Sequence, residues 1–281
     1  MTDSRSGSRA PDSASLRLCD LDFAVVDVET TGWSPGEAGI TEIGAVLLRR
    51  GQVVAEFASL VNPGTPVPGP ITELTGISDQ MLAVAPPAGA VLPGLLAFAQ
   101  GAVLAAHNAR FDLGFLTAAC AAAGLPWPGF EVLDTVRLAR QLMATPGEVP
   151  DCKLATLADY FGATEQPSHR ALADARATAA VLWQLLRRLA DREIYTLGEL
   201  TAWLADREAE AAAAQAAQAT QAAQAEGRRW RRRRARALRT LLRWRRDKVA
   251  ALPDGHGAPR DRMVSRAQRT PGGSQWSPPS S

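Results

Sequence analysis

Three short runs of apolar, largely β-branched residues constrain the fold of this chain more than any other feature. They are Phe23–Val28, Ile40–Leu48 and Val53–Val61, with Gly51 marking a turn between the second and the third. Runs of this kind, bounded by turn-forming residues, predict β-strands. Because the connections between them are short, the three strands are expected to form an antiparallel meander.

Helical patterns then alternate with shorter strand-like segments. Strands are expected at Val103–Ala106 and Val132–Thr135, and helices at Ile71–Met81, Pro93–Gln100, Phe111–Ala123, Leu154–Tyr160 and Ala171–Leu189. Strands first, followed by alternating helices and strands, predict an α/β domain in which helices flank a mixed β-sheet.

Charge divides the chain near residue 227. Residues 1–227 carry 15 Lys and Arg against 26 Asp and Glu, whereas residues 228–281 carry 16 against 3, so the net charge of +2 hides an acidic part and a basic tail. We therefore expect five regions. They are a disordered tail over 1–18, a folded domain over 19–190, an Ala/Gln-rich helical linker over 191–227, an Arg-rich basic helix over 228–250 and a disordered tail over 251–281.

The apolar segments argue against a membrane or secreted protein. Charge, Gly or Pro interrupts each of them well before the roughly 20 residues of a membrane span, and the Ser-rich N-terminus lacks the apolar stretch of a secretory signal. The three cysteines, Cys19, Cys120 and Cys152, stand at unrelated spacings and predict neither a disulfide framework nor a zinc site. Cytoplasmic localisation is the default expectation.

Two acids mark the end of the first predicted strand. Asp27 and Glu29 are two residues apart, so both side chains point to the same face of the strand. Hard oxygen ligands of this kind favour Mg²⁺ or Mn²⁺. Taken alone, the pair is equally compatible with solvated acids at a strand end. It also approaches the nucleophile motif of haloacid-dehalogenase-like phosphatases, but the second acid is Glu and the chain has only two lysines, Lys153 and Lys248.

Two further segments bring acids and histidines to the junctions between loops and helices. His107 and Asn108 follow a predicted buried strand, and Asp112 lies in the first turn of the next helix, where the helix dipole favours an acid. His169 precedes Asp174 at the start of a strongly amphipathic helix. A buried unpaired Asp is costly, so a cation is a natural partner for Asp174.

These three segments together resemble the exonuclease motifs of the DEDDh, or DnaQ-like, superfamily, which includes the proofreading epsilon subunit of bacterial DNA polymerase III. The segments are DVETTG from Asp27, HNARFD from His107 and HRALAD from His169. The resemblance implies an RNase H-like fold over 19–190 and two divalent ions, Mg²⁺ or Mn²⁺, with His169 as general base. By the same resemblance, the metal ligands are Asp27, Glu29, Asp112 and Asp174.

The resemblance also implies a reaction and a substrate. The expected activity is 3′–5′ hydrolysis of single-stranded DNA or DNA 3′ ends to nucleoside 5′-monophosphates; an RNA-directed exonuclease and a non-catalytic nucleic-acid-binding module remain alternatives. A DNA polymerase is a further candidate partner. The candidate substrate-binding residues are Thr30, Thr31, Thr75, His107, Asn108 and Phe111. Thr75 departs from the epsilon subunit, which carries a His before the corresponding Gly.

The basic tail predicts a nucleic-acid partner independently of the motifs. Arg228–Lys248 contains eleven Arg and one Lys against the single acid Asp247, interleaved with Trp230 and Trp244. Arginines neutralise phosphates and tryptophans stack on bases. The alternatives are a helix that docks on the acidic part of the chain and one that binds anionic membranes or ribosomes non-specifically.

Overall fold

The structure, a computed structural model, describes residues 15–143 and 148–250. A five-stranded sheet in the order β3-β2-β1-β4-β5 lies at its centre. Neighbouring strands among the first three are antiparallel, whereas β4 pairs in parallel with β1 and with β5. The strands are β1 (Asp22–Thr30), β2 (Ile40–Arg49), β3 (Gln52–Leu60), β4 (Val103–Ala106) and β5 (Val132–Asp134). The mixed sheet predicted from the sequence is confirmed.

Eight α-helices and a short 3-10 helix at Leu18–Asp20 accompany the sheet in the described residues. The α-helices are α1 (Gly69–Thr75), α2 (Asp79–Leu82), α3 (Ala88–Phe98), α4 (Ala109–Ala122), α5 (Thr135–Leu142), α6 (Leu154–Phe161), α7 (Ala171–Ala190) and α8 (Leu197–Ala250). No helix within the described ranges is both long enough and apolar enough to cross a membrane.

The two faces of the sheet bury two separate apolar clusters. On β1 the side chains alternate, so that Phe23 and Val25 join a cluster with residues of α5, α6 and α7. Ala24 and Val26 join the other cluster, with residues of α3 and α4. Asp27 and Glu29 continue the odd-numbered series along β1, and α7 packs on β1 and β2.

Two expected helices differ from the sequence prediction in their bounds. The segment 71–81 forms two short helices, because Gly76 adopts a left-handed conformation that ends α1, and the Ser78 hydroxyl caps α2 by accepting from the Met81 N–H. α3 begins at Ala88, before Pro93, and continues through that proline. Burial of its apolar face against the sheet offsets the hydrogen bond that Pro93 cannot make.

The compact unit extends to Ala214, past the expected domain boundary at residue 190. Leu197, Leu200 and Leu204, in the first turns of α8, belong to the same buried cluster as α7. Thr196 and Glu199 exchange hydrogen bonds in a capping box that begins α8. The described residues after Ala214, 215–250, belong to a second unit. The predicted tails lie outside the described residues over 1–14 and 251–281.

Candidate active site

Asp27 and Glu29 emerge on one face near the end of β1, as their spacing predicts. Asp27 lies opposite Gly44 of β2, and Glu29 lies opposite Glu42. Both side chains are only partly exposed to solvent. The carboxylates therefore face the start of α7 rather than open solvent.

Gly44 allows α7 to approach this end of the sheet. A Cβ atom at position 44 would lie 2.2 Å from the backbone nitrogen of Leu172 and 2.3 Å from the carbonyl carbon of Ala171. Since only glycine fits against that backbone, the first turn of α7 rests directly on β2. This contact brings Asp174, which is 7% exposed, toward Asp27 and Glu29.

Asp112 reaches the same region from α4. It is 3% exposed, and its Oδ1 accepts a hydrogen bond of 3.1 Å from the Val28 N–H. That N–H is available because β4 pairs with β1 only as far as Val25. Asp134 anchors the start of α4 by accepting from the Ala109 N–H at 3.1 Å, while it also caps α5.

The four carboxyl groups repel one another in a poorly solvated space. Burial, followed by the charges of Asp112 and Asp174, raises the pKa of Asp27 well above its usual range. Burial and the nearby acids raise the pKa of Glu29 to about 7, and burial also raises the pKa of Asp112. A divalent cation among hard oxygen ligands would offset this repulsion. The donor set therefore fits the expected metal chemistry.

His169 lies on the loop before α7, beside two of these acids. One candidate ligand atom from each of Glu29, His169 and Asp174 lies within 4.8 Å of the others. His169 is exposed and has a positive φ of 57°, a left-handed conformation that is uncommon for a non-glycine residue. The Ser168 N–H donates to Oδ1 of Asp174 at 2.8 Å, which ties the loop to the acid.

The interpretation of the sequence missed an ion pair next to His169. Arg170 donates from Nε and Nη2 to the two carboxylate oxygens of Glu42, at 3.1 and 2.6 Å, and the Ala171 N–H donates to Oε2 at 2.9 Å. Glu42 is 6% exposed. A charged residue inside the otherwise apolar run Ile40–Leu48 was the signal that could have identified it.

Three of the expected substrate-binding residues use their hydroxyl groups within their own turns. Thr30 donates to the Gly32 carbonyl at 2.6 Å, and Thr31 accepts from the Gly39 N–H at 3.0 Å. Thr75 is buried, where it donates to the Ile71 carbonyl at 2.9 Å and accepts from the Ile77 N–H at 3.1 Å. These hydroxyls shape the loops in which they stand.

His107 and Asn108 connect β4 to α4 in different ways. The His107 ring hydrogen-bonds with the Thr135 hydroxyl at 2.9 Å and with the backbone of Cys152, and burial lowers its pKa to about 4. Asn108 is exposed in a left-handed conformation that starts α4, without a side-chain cap bond. The structure thus gives His107 internal partners and leaves the Asn108 side chain accessible.

The exposed Trp33, which follows the DVETTG segment, lies beside the half-buried Phe111 of the HNARFD segment. The ring of Phe111 is 6.2 Å from that of Trp33 and 5.0 Å from that of Phe115. Trp33 is 81% exposed. The interpretation of the sequence identified Phe111 but missed Trp33, although an aromatic residue directly after the turn at Gly32 was visible in the sequence.

Comparisons with known proteins identify the family of this chain. The RNase T-type family model, described as exonuclease, matches residues 24–182. A protein of Mycobacterium tuberculosis described as a bifunctional exonuclease/endonuclease is 46% identical over 69% of this chain and 30% of its own. A PolC-type DNA polymerase III of Caldanaerobacter subterraneus is 40% identical over 67% of this chain and 13% of its own. The 3′-5′ exonuclease DinG of Bacillus subtilis is 38% identical over 63% and 19%.

Solved structures share the fold at lower sequence identity. Exonuclease I of E. coli in complex with a dT13 oligonucleotide superposes with a TM-score of 0.55, at 18% identity over 62% of this chain and 43% of that one. The nuclease domain of 3′hExo, a DEDDh family member bound to rAMP, gives a TM-score of 0.51 at 19% identity over 59% and 92%. The fold expected from the sequence is thereby confirmed.

Proposed function

The chain belongs to the exonuclease family of DnaQ-like (DEDDh) enzymes, and from that premise we propose that it hydrolyses single-stranded DNA or DNA 3′ ends, in the 3′–5′ direction, to nucleoside 5′-monophosphates. The observation that carries the proposal is the convergence of four carboxyl groups beside an exposed histidine. Asp27 and Glu29 come from β1, Asp112 from α4 and Asp174 from α7. A module that only binds nucleic acid has no need of buried acids with raised pKa values.

Asp27, Glu29, Asp112 and Asp174 would hold two divalent ions, Mg²⁺ or Mn²⁺. When bound, such ions stabilise the charge that develops on the attacking and leaving oxygens of an in-line displacement at phosphorus. The buried carboxyl groups would release protons as the ions bind, because the cations lower the pKa values that burial and mutual repulsion raise.

His169 would serve as the general base. Its imidazole nitrogen would accept the proton of the attacking water, for which the exposed position of the ring leaves room. Burial raises the pKa of Asp174, and the Ser168 N–H and the nearby His169 partly oppose that rise. The pairing of His169 with Asp174 would stabilise the imidazolium that forms as the water loses its proton.

The terminal nucleotide would contact the surface formed by Trp33, Phe111 and Asn108. Aromatic rings stack on any base, so this surface suits a nuclease that does not read sequence. The side-chain polar atoms of Thr30, Thr31, Thr75 and His107 already have internal hydrogen-bond partners. These residues therefore remain candidates that would contribute to substrate binding indirectly, by fixing the shape of their loops.

DNA is favoured over RNA by the curated relatives. The relative named PolC-type DNA polymerase III, whose name refers to DNA, is 40% identical to this chain. The chain spans no more than 30% of the length of the three relatives described above. Because one of these relatives is named a DNA polymerase, we include association with a DNA polymerase in the proposal. We also propose that the protein is cytoplasmic.

The Arg-rich segment of α8 would supply additional affinity for nucleic acid. In the described part of this segment the arginine side chains are exposed, as is Trp230, whose ring is 5.2 Å from the guanidinium of Arg234. Guanidinium groups at this density bind phosphates. The Trp rings add stacking.

Labelled oligonucleotides test the proposal directly. The full chain is incubated with 3′- and 5′-labelled single strands of DNA and RNA, with Mg²⁺, Mn²⁺ or EDTA. We expect release of a labelled mononucleotide from the 3′ end of DNA first, a ladder of shortened 5′-labelled products, and no reaction in EDTA. Digestion from the 5′ end, or activity in EDTA, would refute the proposal; faster digestion of RNA would support the exoribonuclease alternative.

A further inference from the structure

We infer that the ion pair between Arg170 and Glu42 positions His169, so that both residues control the rate through the proposed general base without touching the substrate. The inference rests on the proposed function and deepens it. It assigns a role to two residues outside the set of acids and histidine identified from the motifs.

Glu42 is a buried residue that lies beside Asp27 and Glu29 and anchors the start of α7. It lies on β2 directly opposite Glu29, in a ladder that also pairs Gly44 with Asp27. Both of its carboxylate oxygens are occupied, since Arg170 bonds to each of them and the Ala171 N–H bonds to Oε2. Glu42 is therefore a hydrogen-bond acceptor for the start of α7 rather than a further metal ligand.

His169 is held from both sides. Before it, the Ser168 N–H donates to Asp174 at 2.8 Å, and after it, Arg170 and Ala171 are attached to Glu42 at 2.6–3.1 Å. Between these anchors His169 keeps its left-handed backbone conformation, with φ of 57°. Such a conformation in a non-glycine residue persists only where the surroundings impose it. The anchors thus determine where the imidazole points.

A second ion pair on the same helix provides a matched control. Arg176, one to two turns further along α7, donates from Nε and Nη2 to the two carboxylate oxygens of Glu56 on β3, at 2.8 and 2.6 Å. Like the first pair it joins a strand to α7 through a forked contact. It joins β3 rather than β2 to the helix, and Arg176 also contacts Glu165, four residues before His169, at 3.5 Å. The control substitution is therefore Glu56→Gln, which leaves that second contact in place and should affect only stability.

The decisive experiment is a double-mutant cycle. Single-turnover rates at saturating Mg²⁺ are measured for the full-length wild type, Arg170→Ala, His169→Ala and the double variant, together with oligonucleotide affinity and melting temperature. We expect Arg170→Ala and Glu42→Gln to lower the rate about 10- to 100-fold while binding changes little. In the His169→Ala background the same substitutions should have almost no further effect, because the residue through which they act is gone. Arg170→Lys, which keeps charge but loses the fork, should be intermediate.

Several outcomes would overturn the inference. Arg170→Ala could lower the rate by the same factor with and without His169, a Mg²⁺ concentration above that which saturates the wild type could restore the rate, or Glu56→Gln could lower the rate as much as Glu42→Gln does. If Arg170→Ala does not fold, a wild-type rate for Arg170→Lys would overturn the inference instead. An inactive wild type would refute the proposed function itself. A fully active His169→Ala variant would refute the general-base role on which the inference rests, and additivity in an active enzyme would refute only the positioning role.

Discussion

His169 is an exposed side chain in a loop, so its removal should separate catalysis from folding. We expect His169→Ala to lower the turnover number by about 10²–10⁴, the usual contribution of a positioned general base, with little change in melting temperature. Gln166→Ala on the same exposed loop is the control and should retain full activity. Near-normal Mn²⁺-dependent digestion by His169→Ala would show that another group accepts the proton.

Glu29 makes the stability of the metal-free protein depend on pH. Its pKa is about 7 in the fold against an ordinary 4.5, so the folded state binds more protons than the unfolded state between those values. The resulting stability is complete below pH 4.5 and is lost as the pH rises through 7. In EDTA the melting temperature should fall from pH 6 to pH 8, and Mg²⁺ should stabilise more at pH 8. A Glu29→Gln variant with the same pH slope as wild type would contradict this.

The residues whose convergence could be predicted are those whose types and spacing match the exonuclease motifs. Asp27 and Glu29 share a strand face by simple alternation, and the structure brings Asp112 and Asp174 to them from two helices. The acid Glu42 stands out within an apolar run, but its partner Arg170 is 128 positions away, and no local pattern indicates which residue it pairs with. The internal hydrogen bonds of Thr75 depend on loop geometry in the same way.

At the level of elements, the packing of α7 on β2 depends on one glycine. Gly44→Ala would place a Cβ 2.2–2.5 Å from backbone atoms of Ala171 and Leu172, and backbone cannot give way as a flexible side chain does. We expect a loss of about 1–3 kcal/mol in the free energy of unfolding. Turnover should also fall, because Asp174 moves with the helix. Gly69→Ala, which meets nothing within 4 Å, is the control; equal denaturation midpoints for the two variants would refute the argument.

The strands were predictable because β-branched runs and short turns are local signals. The helix boundaries were harder to predict, because they depend on individual capping residues and on burial. Gly76 and Ser78 divide one predicted helix into two, and contact with the sheet carries α3 through Pro93. Propensity alone cannot weigh a lost hydrogen bond against buried apolar area.

At the scale of the whole molecule, composition shows where the chain changes from acidic to basic, but it did not predict where the compact unit ends. The Ala/Gln-rich stretch indicated a linker after residue 190, yet Leu200 and Leu204 pack into the core that α7 also covers. Those leucines follow a helical spacing that the neighbouring low-complexity sequence obscured. The unit ends at Ala214 because later residues of α8 have no buried apolar face among the side chains that the structure describes.

The basic segment should determine how salt affects substrate binding by the whole chain. Binding to a single strand loses about 0.7 of a decade in affinity per decade of salt for each phosphate neutralised. Truncation after residue 227 leaves the compact unit intact and should flatten this slope by several units, with weaker binding at low salt and unchanged turnover on saturating short substrates. Replacing the arginines of 228–246 by lysine should preserve the slope, and replacement by glutamine should not. If the full and truncated chains show the same dependence of affinity on salt, the segment is not a substrate tether. If truncation tightens binding, the segment competes with substrate for the acidic part of the chain.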